Sequence, residues 1–190
     1  MRAFSFSVLV LLGASFLFSC DGRFTSSRKK NYDSLFLNIY LGMEQKAFYD
    51  YCWELNRQKV ITHGPTNQNI EYHLTELSNP VIMRFYPSFY EGKINEMPVT
   101  FAYEAWAPWN RQFQSDTLLN NMLNVFKKWY GDDFKVIEHR TMGKVYYKMD
   151  GYRRINLFIR DDQFVQAVFT DMRVAKKLKE EQEKNEKVQN

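Results

Sequence analysis

The sequence predicts an α+β domain in which a largely antiparallel sheet carries two helices packed on one face. Three observations lead there. Two stretches, near 43–58 and 115–130, repeat apolar residues at helical spacing, and each is followed by several short strand-like segments. Aromatic residues make up 17% of the chain, with 16 Phe, 12 Tyr and 4 Trp, and such residues favour pleated, half-buried surfaces. Finally, Ile155, Leu157 and Ile159 alternate with Arg154, Asn156, Phe158 and Arg160, the pattern of a sheet with one covered face.

Each element has its own local reason. Leu35 to Leu41 is apolar and leads into Gly42, as a short strand or an approach to the first helix. In that helix Phe48, Tyr51, Cys52 and Leu55 share a face, while Lys46, Asp50, Glu54 and Arg57 form a solvated one. His63-Gly64-Pro65-Thr66-Asn67 is a turn cluster, and strand-like segments follow at 69–74, 81–86 and 99–105, punctuated by Pro80, Pro87, Gly92 and Pro98. Ser115-Asp116 offers an N-cap to the second helix, whose apolar face is Leu118, Leu119, Met122, Leu123, Phe126 and Trp129, and Gly131 is its stop. Further strands are expected at 134–139, 145–149, 155–159 and 165–169, with turns at Asp150-Gly151 and Asp161-Asp162. The helix–strands–helix–strands order leaves room for a diverged duplication, although no residue-level repeat stands in the sequence. From Arg173 the chain becomes a charged tail, 173–190, with ion-pair spacing at Lys176/Glu180 and Lys177/Glu181 that suits a solvated helix.

The chain opens differently. Met1-Arg2 precedes an uncharged, mostly apolar stretch from Ala3 to Phe18, too short for a comfortable membrane span and of the length of an export signal. It ends in Leu17-Phe18-Ser19-Cys20, which resembles the lipobox of bacterial lipoproteins: an aliphatic residue, a variable one, a small one, then Cys. The resemblance covers about the first 20 residues. It implies that residues 1–19 are removed, that the Cys20 thiol receives a diacylglycerol, and that the mature protein is held at a membrane by several acyl chains. The organisation expected is thus a signal peptide at 1–19, a lipidated N-terminus and polar tether at 20–31, and one α+β domain at 32–172. Cell-envelope localisation follows, with the outer membrane or cell surface favoured. Separately, Asn38-Ile39-Tyr40-Leu41-Gly42-Met43 resembles the helix start of small lipoproteins of the outer-membrane assembly machinery. That six-residue likeness implies an α+β fold and nothing finer.

Charge and motifs narrow the function classes. Net charge is +4, and +3 once Arg2 leaves with the signal, with no basic stripe to engage nucleic acid. There is no Gly-x-Ser-x-Gly, His-Glu-x-x-His, phosphate loop or Cys-x-x-Cys, so no cofactor is expected. With Cys20 lipidated, Cys52 is a lone thiol among apolar helix neighbours and reads as a small buried hydrophobe. His63, His73 and His139 have no local ligand pattern, and on a strand Glu138 and Arg140 point away from His139. The segment Phe85–Trp109 stands out for its rings, and Pro108 stiffens its last turn. Tyr103, Trp106 and Trp109 are the candidate ligand or partner surface, against the plainer reading in which these rings cap the sheet as core. The function expected is non-enzymatic binding or assembly at a membrane, with an envelope protein as partner. The alternatives are a glycan- or lipid-binding module and an envelope hydrolase of unrecognised type.

Overall fold

The computed structural model describes residues 32–65 and 69–189. Cys20, the leader and the tether lie outside the described residues. The first helix, α1, is Gln45–Arg57, and the strands β1 (Thr62–His63), β2 (Ile70–Leu74), β3 (Val81–Phe85), β4 (Ser88–Tyr90) and β5 (Lys93–Tyr103) follow it. A 3₁₀ turn at Arg111–Phe113 leads into α2 (Ser115–Tyr130). Then come β6 (Lys135–His139), β7 (Gly143–Asp150), β8 (Arg153–Ile159), β9 (Val165–Asp171) and a last helix, α3 (Met172–Gln189).

The fold is α+β, and every strand pairing is antiparallel. The sheet runs β1-β2-β3-β5-β9-β8-β7-β6, with β4 paired to the start of β5. Two meanders therefore meet at a central β5–β9 seam, in which Met97 lies opposite Phe169 and Val99 opposite Ala167. Alternation then sorts the side chains. Val81, Met83, Phe85, Met97, Val99, Phe101, Ile155, Leu157, Val165, Ala167 and Phe169 line one face and are all buried. There α2 covers them: Phe126 stacks on Phe169 at 5.9 Å and meets Phe101 edge-on at 5.9 Å. Gly131 ends α2 at φ 100°, a backbone angle that a side chain would strain.

The chain between 33 and 43 also lies on this core. Leu37 and Asn38 both take positive φ, 48° and 57°, and reverse the backbone, so that Leu35 N–H bonds the Ile39 carbonyl at 2.9 Å. This tight knuckle, rather than a strand, buries Leu35, Phe36, Ile39 and Leu41. Phe36 meets Phe85 at 4.9 Å, and the Tyr130 hydroxyl at the end of α2 donates to the Leu35 carbonyl at 2.9 Å.

Several expectations need correction. β5 starts at Lys93 and runs through Pro98, which has no ladder partner on the side where Tyr86-Pro87 separates β3 from β4. Ser115 is not the cap of α2: Gln114 occupies that position without a side-chain bond, and Ser115 N–H donates to the Asp162 carbonyl at 3.1 Å. The charged tail, expected as a solvated helix, is helical over Met172–Gln189 with Lys176 3.8 Å from Glu180, but it is not wholly solvated, since Glu181 accepts a hydrogen bond from the Tyr90 hydroxyl at 2.9 Å.

Candidate functional site

The three aromatic residues singled out by sequence have different surroundings. Tyr103 ends β5 on the buried face, 2% exposed. Asn121 of α2 donates to its hydroxyl at 2.6 Å, its ring tilts on Phe113 at 5.2 Å, and burial pushes the phenol pKa up. Trp106 is half-buried against the core, and its indole N–H finds no partner among the described residues. Trp109 projects into solvent at 84% exposure. The loop around it is braced where Asn110 N–H reaches the Ala107 carbonyl at 2.9 Å and Gln114 Nε2 reaches the Pro108 carbonyl at 3.3 Å. Of the three, only Trp109 offers an open ring face to a partner.

A second aromatic surface, missed by the sequence reading, is better formed. Tyr49, Cys52, Trp53 and Asn56 stand at i, i+3, i+4 and i+7 on α1 and face Ile61, Ile70 and Tyr86 across a groove of about 220 Å³. Phe48 is fully buried beneath it, packing edge-on to Tyr86 and Phe89 at 6.4 and 6.0 Å. The Tyr49 and Tyr86 hydroxyls bond each other at 2.8 Å, which raises the Tyr86 pKa. Asn56 Nδ2 donates to the Ile61 carbonyl at 3.1 Å and holds the chain as it leaves the helix. Trp53, 72% exposed, forms part of the groove wall. The signal was present in the sequence as this second helical stripe beside the buried Phe48–Leu55 one.

Burial pushes the Cys52 thiol up to about 12. At neutral pH it is therefore a protonated thiol, the wrong state for attack on a carbonyl. The histidines do not converge: His73 lies on β2 and His139 on β6, near opposite edges of the sheet. No group of three His, Cys, Asp or Glu side chains with metal-binding geometry occurs among the described residues.

The two buried cations among the described residues hold the fold together. Lys148 and Arg153, 4% and 5% exposed, share Asp150: Lys148 Nζ lies 3.1 Å from Oδ1, and Arg153 Nη2 donates to Oδ2 at 2.8 Å. Asp133 also pairs with Lys148, and Arg153 donates to the Ser34 carbonyl and stands over the Tyr130 ring at 4.9 Å. Burial pulls the Lys148 ammonium down, but its bonds to Asp133 and Asp150 outweigh that and hold its pKa above the usual lysine value. This network joins the knuckle, the end of α2 and the β7–β8 hairpin. Compared with known proteins, the chain matches no family model, no curated sequence and no solved structure.

Proposed function

We propose that this chain is a lipid-anchored protein of the bacterial cell envelope whose domain works by binding a partner rather than by catalysis. The observation that carries the reading is the Leu17-Phe18-Ser19-Cys20 junction after an apolar leader with one basic residue in front. A diacylated or triacylated Cys20 holds the domain beside the bilayer, and the 20–31 tether gives it reach. The α1 groove, with its exposed Trp53, supplies a surface of the composition that protein partners use. The outer membrane or cell surface is the favoured site.

The same reading extends to the architecture. We infer that α1 and α2 pack on one sheet face and that the chain is a diverged helix-plus-strands duplication, with α1 followed by five strands and α2 by four. The central placement of β5 and β9 supports it.

A test at the anchor comes first. Cys20→Ser shifts the protein from the membrane to the soluble fraction, and mass spectrometry of the native protein finds its first peptide beginning at an acylated Cys20. An intact leader, or unchanged fractionation of the variant, refutes the anchor. For the partner, crosslinking in intact envelopes yields a defined adduct that Trp53→Ala diminishes. A glycan- or lipid-binding module remains the second reading, favoured by the exposure of Trp109. Under it, Trp109→Ala abolishes a ligand-induced change in tryptophan fluorescence.

A further inference from the structure

The sheet face opposite the core carries a second cleft, of about 470 Å³, within the range of small-molecule sites. Its position follows from strand register. Across β7, β8 and β9 the rows on this face read Met149–Arg154–Thr170, Tyr147–Asn156–Val168 and Val145–Phe158–Gln166. β6 adds Lys135 beside Tyr147, Ile137 beside Val145 and His139 beside Gly143. The cleft follows β7 from Met142 and His139 at one end to Met149, Arg154 and Met172 at the other. Six residues of strand separate Gly143 from Met149, roughly 20 Å of extended chain. A lipid acyl chain, half of a ~30 Å hydrocarbon core, spans about 15 Å.

Arg154 is the unusual member. It is half-buried, and it forms no ion pair among the described residues. Its Nε is shielded from solvent and has no hydrogen-bond partner there. A desolvated donor on a permanent cation costs free energy unless an anion meets it. No carboxylate stands on this face from β6 to β9. The nearest one on the face in register is Glu96 of β5, two strands from Arg154, and it accepts the Thr170 hydroxyl at 3.2 Å. Lys135 adds a second positive charge on the same face. Between the charged end and Met142 the lining is Tyr147, Val145 and Ile137, with Asn156 beside Tyr147 as its one amide.

We infer that this cleft binds a single-chain anionic amphiphile, its carboxylate or phosphate on Arg154 and its tail along β7 toward Met142. The charge complementarity of the unpaired guanidinium, the absence of competing carboxylates and the apolar run beyond it together define that class. This site is separate from the α1 groove and independent of the membrane anchor.

The test uses the full chain carrying Cys20→Ser, so that no acyl chain of its own competes. Dodecanoate, below its micellar concentration, is titrated by calorimetry and followed by amide chemical shifts. The expected result is one saturable site with shifts confined to β6–β8 and the start of α3. Dodecanol binds at least tenfold more weakly, and acetate and inorganic phosphate do not displace dodecanoate. Arg154→Gln weakens binding tenfold or more with unchanged circular dichroism. Ile137→Asp, at a position 45% exposed and therefore tolerant, weakens it as well by placing a carboxylate beside the tail. Equal binding of dodecanol, an unaffected Arg154→Gln, displacement by free phosphate, or shifts that map to α1 would each overturn the proposal.

Discussion

Asp171 ends β9 with its carboxylate 3% exposed and faces several donors from one neighbour. Arg173 gives its backbone N–H and Nε to Oδ1 at 2.9 and 3.0 Å and Nη2 to Oδ2 at 2.6 Å, and its guanidinium lies 3.3 Å from the centre of the Tyr152 ring. Burial raises the carboxyl pKa, but the Arg173 bonds outweigh it and leave the group below the ordinary carboxylate value. A depressed folded-state pKa stabilises the fold above the unfolded value of about 3.9, and that contribution is lost as pH falls through the folded value. Asp171→Asn should therefore cost roughly 1–3 kcal/mol at pH 7 in urea unfolding, the scale of charged hydrogen bonds. The gap between variant and wild type should stay constant down to about pH 5 and narrow below about pH 4. A gap that persists unchanged to pH 2 would show that the charge is not what matters. None of this was legible from Asp171 alone in the sequence, because its burial depends on β8 and Tyr152. The same limit explains Tyr103 and Trp109, two aromatic residues six apart: Asn121 and Phe113 decide which ring is core, and neither marks its partner in the sequence.

At the scale of elements, α2 was the most readable part of the chain. Its apolar face and its glycine stop stand where periodicity placed them, since a helix repeats its buried residues within one segment. The short strands were not readable. β1 has two residues and β4 three, too few for alternation to show, and β5 passes a proline that normally ends a strand. The 35–41 knuckle has the composition of a strand, and only its two positive φ angles make it a turn. α2 also concentrates the packing. Phe126 is fully buried and lies within 6.4 Å, ring to ring, of Phe101, Trp129, Tyr130, Phe134 and Phe169. Phe126→Ala leaves a cavity that these rings, held from two strands, the segment after α2 and the helix itself, cannot close. A loss of about 3–5 kcal/mol is expected from denaturant midpoints at constant slope. A loss below about 1 kcal/mol would mean that the core repacks freely around α2.

For the whole molecule, the alternation of helices and strands foretold an antiparallel α+β domain but not which strands meet at its centre. β5 and β9 lie more than 60 residues apart in the chain, and nothing local to either marks the other. That seam determines how the molecule unfolds. The first meander presents Met83, Val99 and Phe101 to the core and the second presents Leu157, Ala167 and Phe169. α2 packs on β5, β8 and β9 together, and Phe36 of the knuckle touches both Phe85 and Phe169. Neither meander keeps a closed apolar core when the other is removed, so separating them exposes the most apolar surface in the domain at about 25 cal/mol per Å². The two parts should therefore unfold in one cooperative step. Single-tryptophan variants check this directly: one retaining Trp53 on α1 reports the β1–β3 end, and one retaining Trp129 on α2 reports the seam. Their urea midpoints should coincide with each other and with far-UV circular dichroism. If Trp53 reports an earlier, separate transition, α1 and β1 to β3 open while β5 to β9 stay folded, and the two ends of the sheet are energetically distinct.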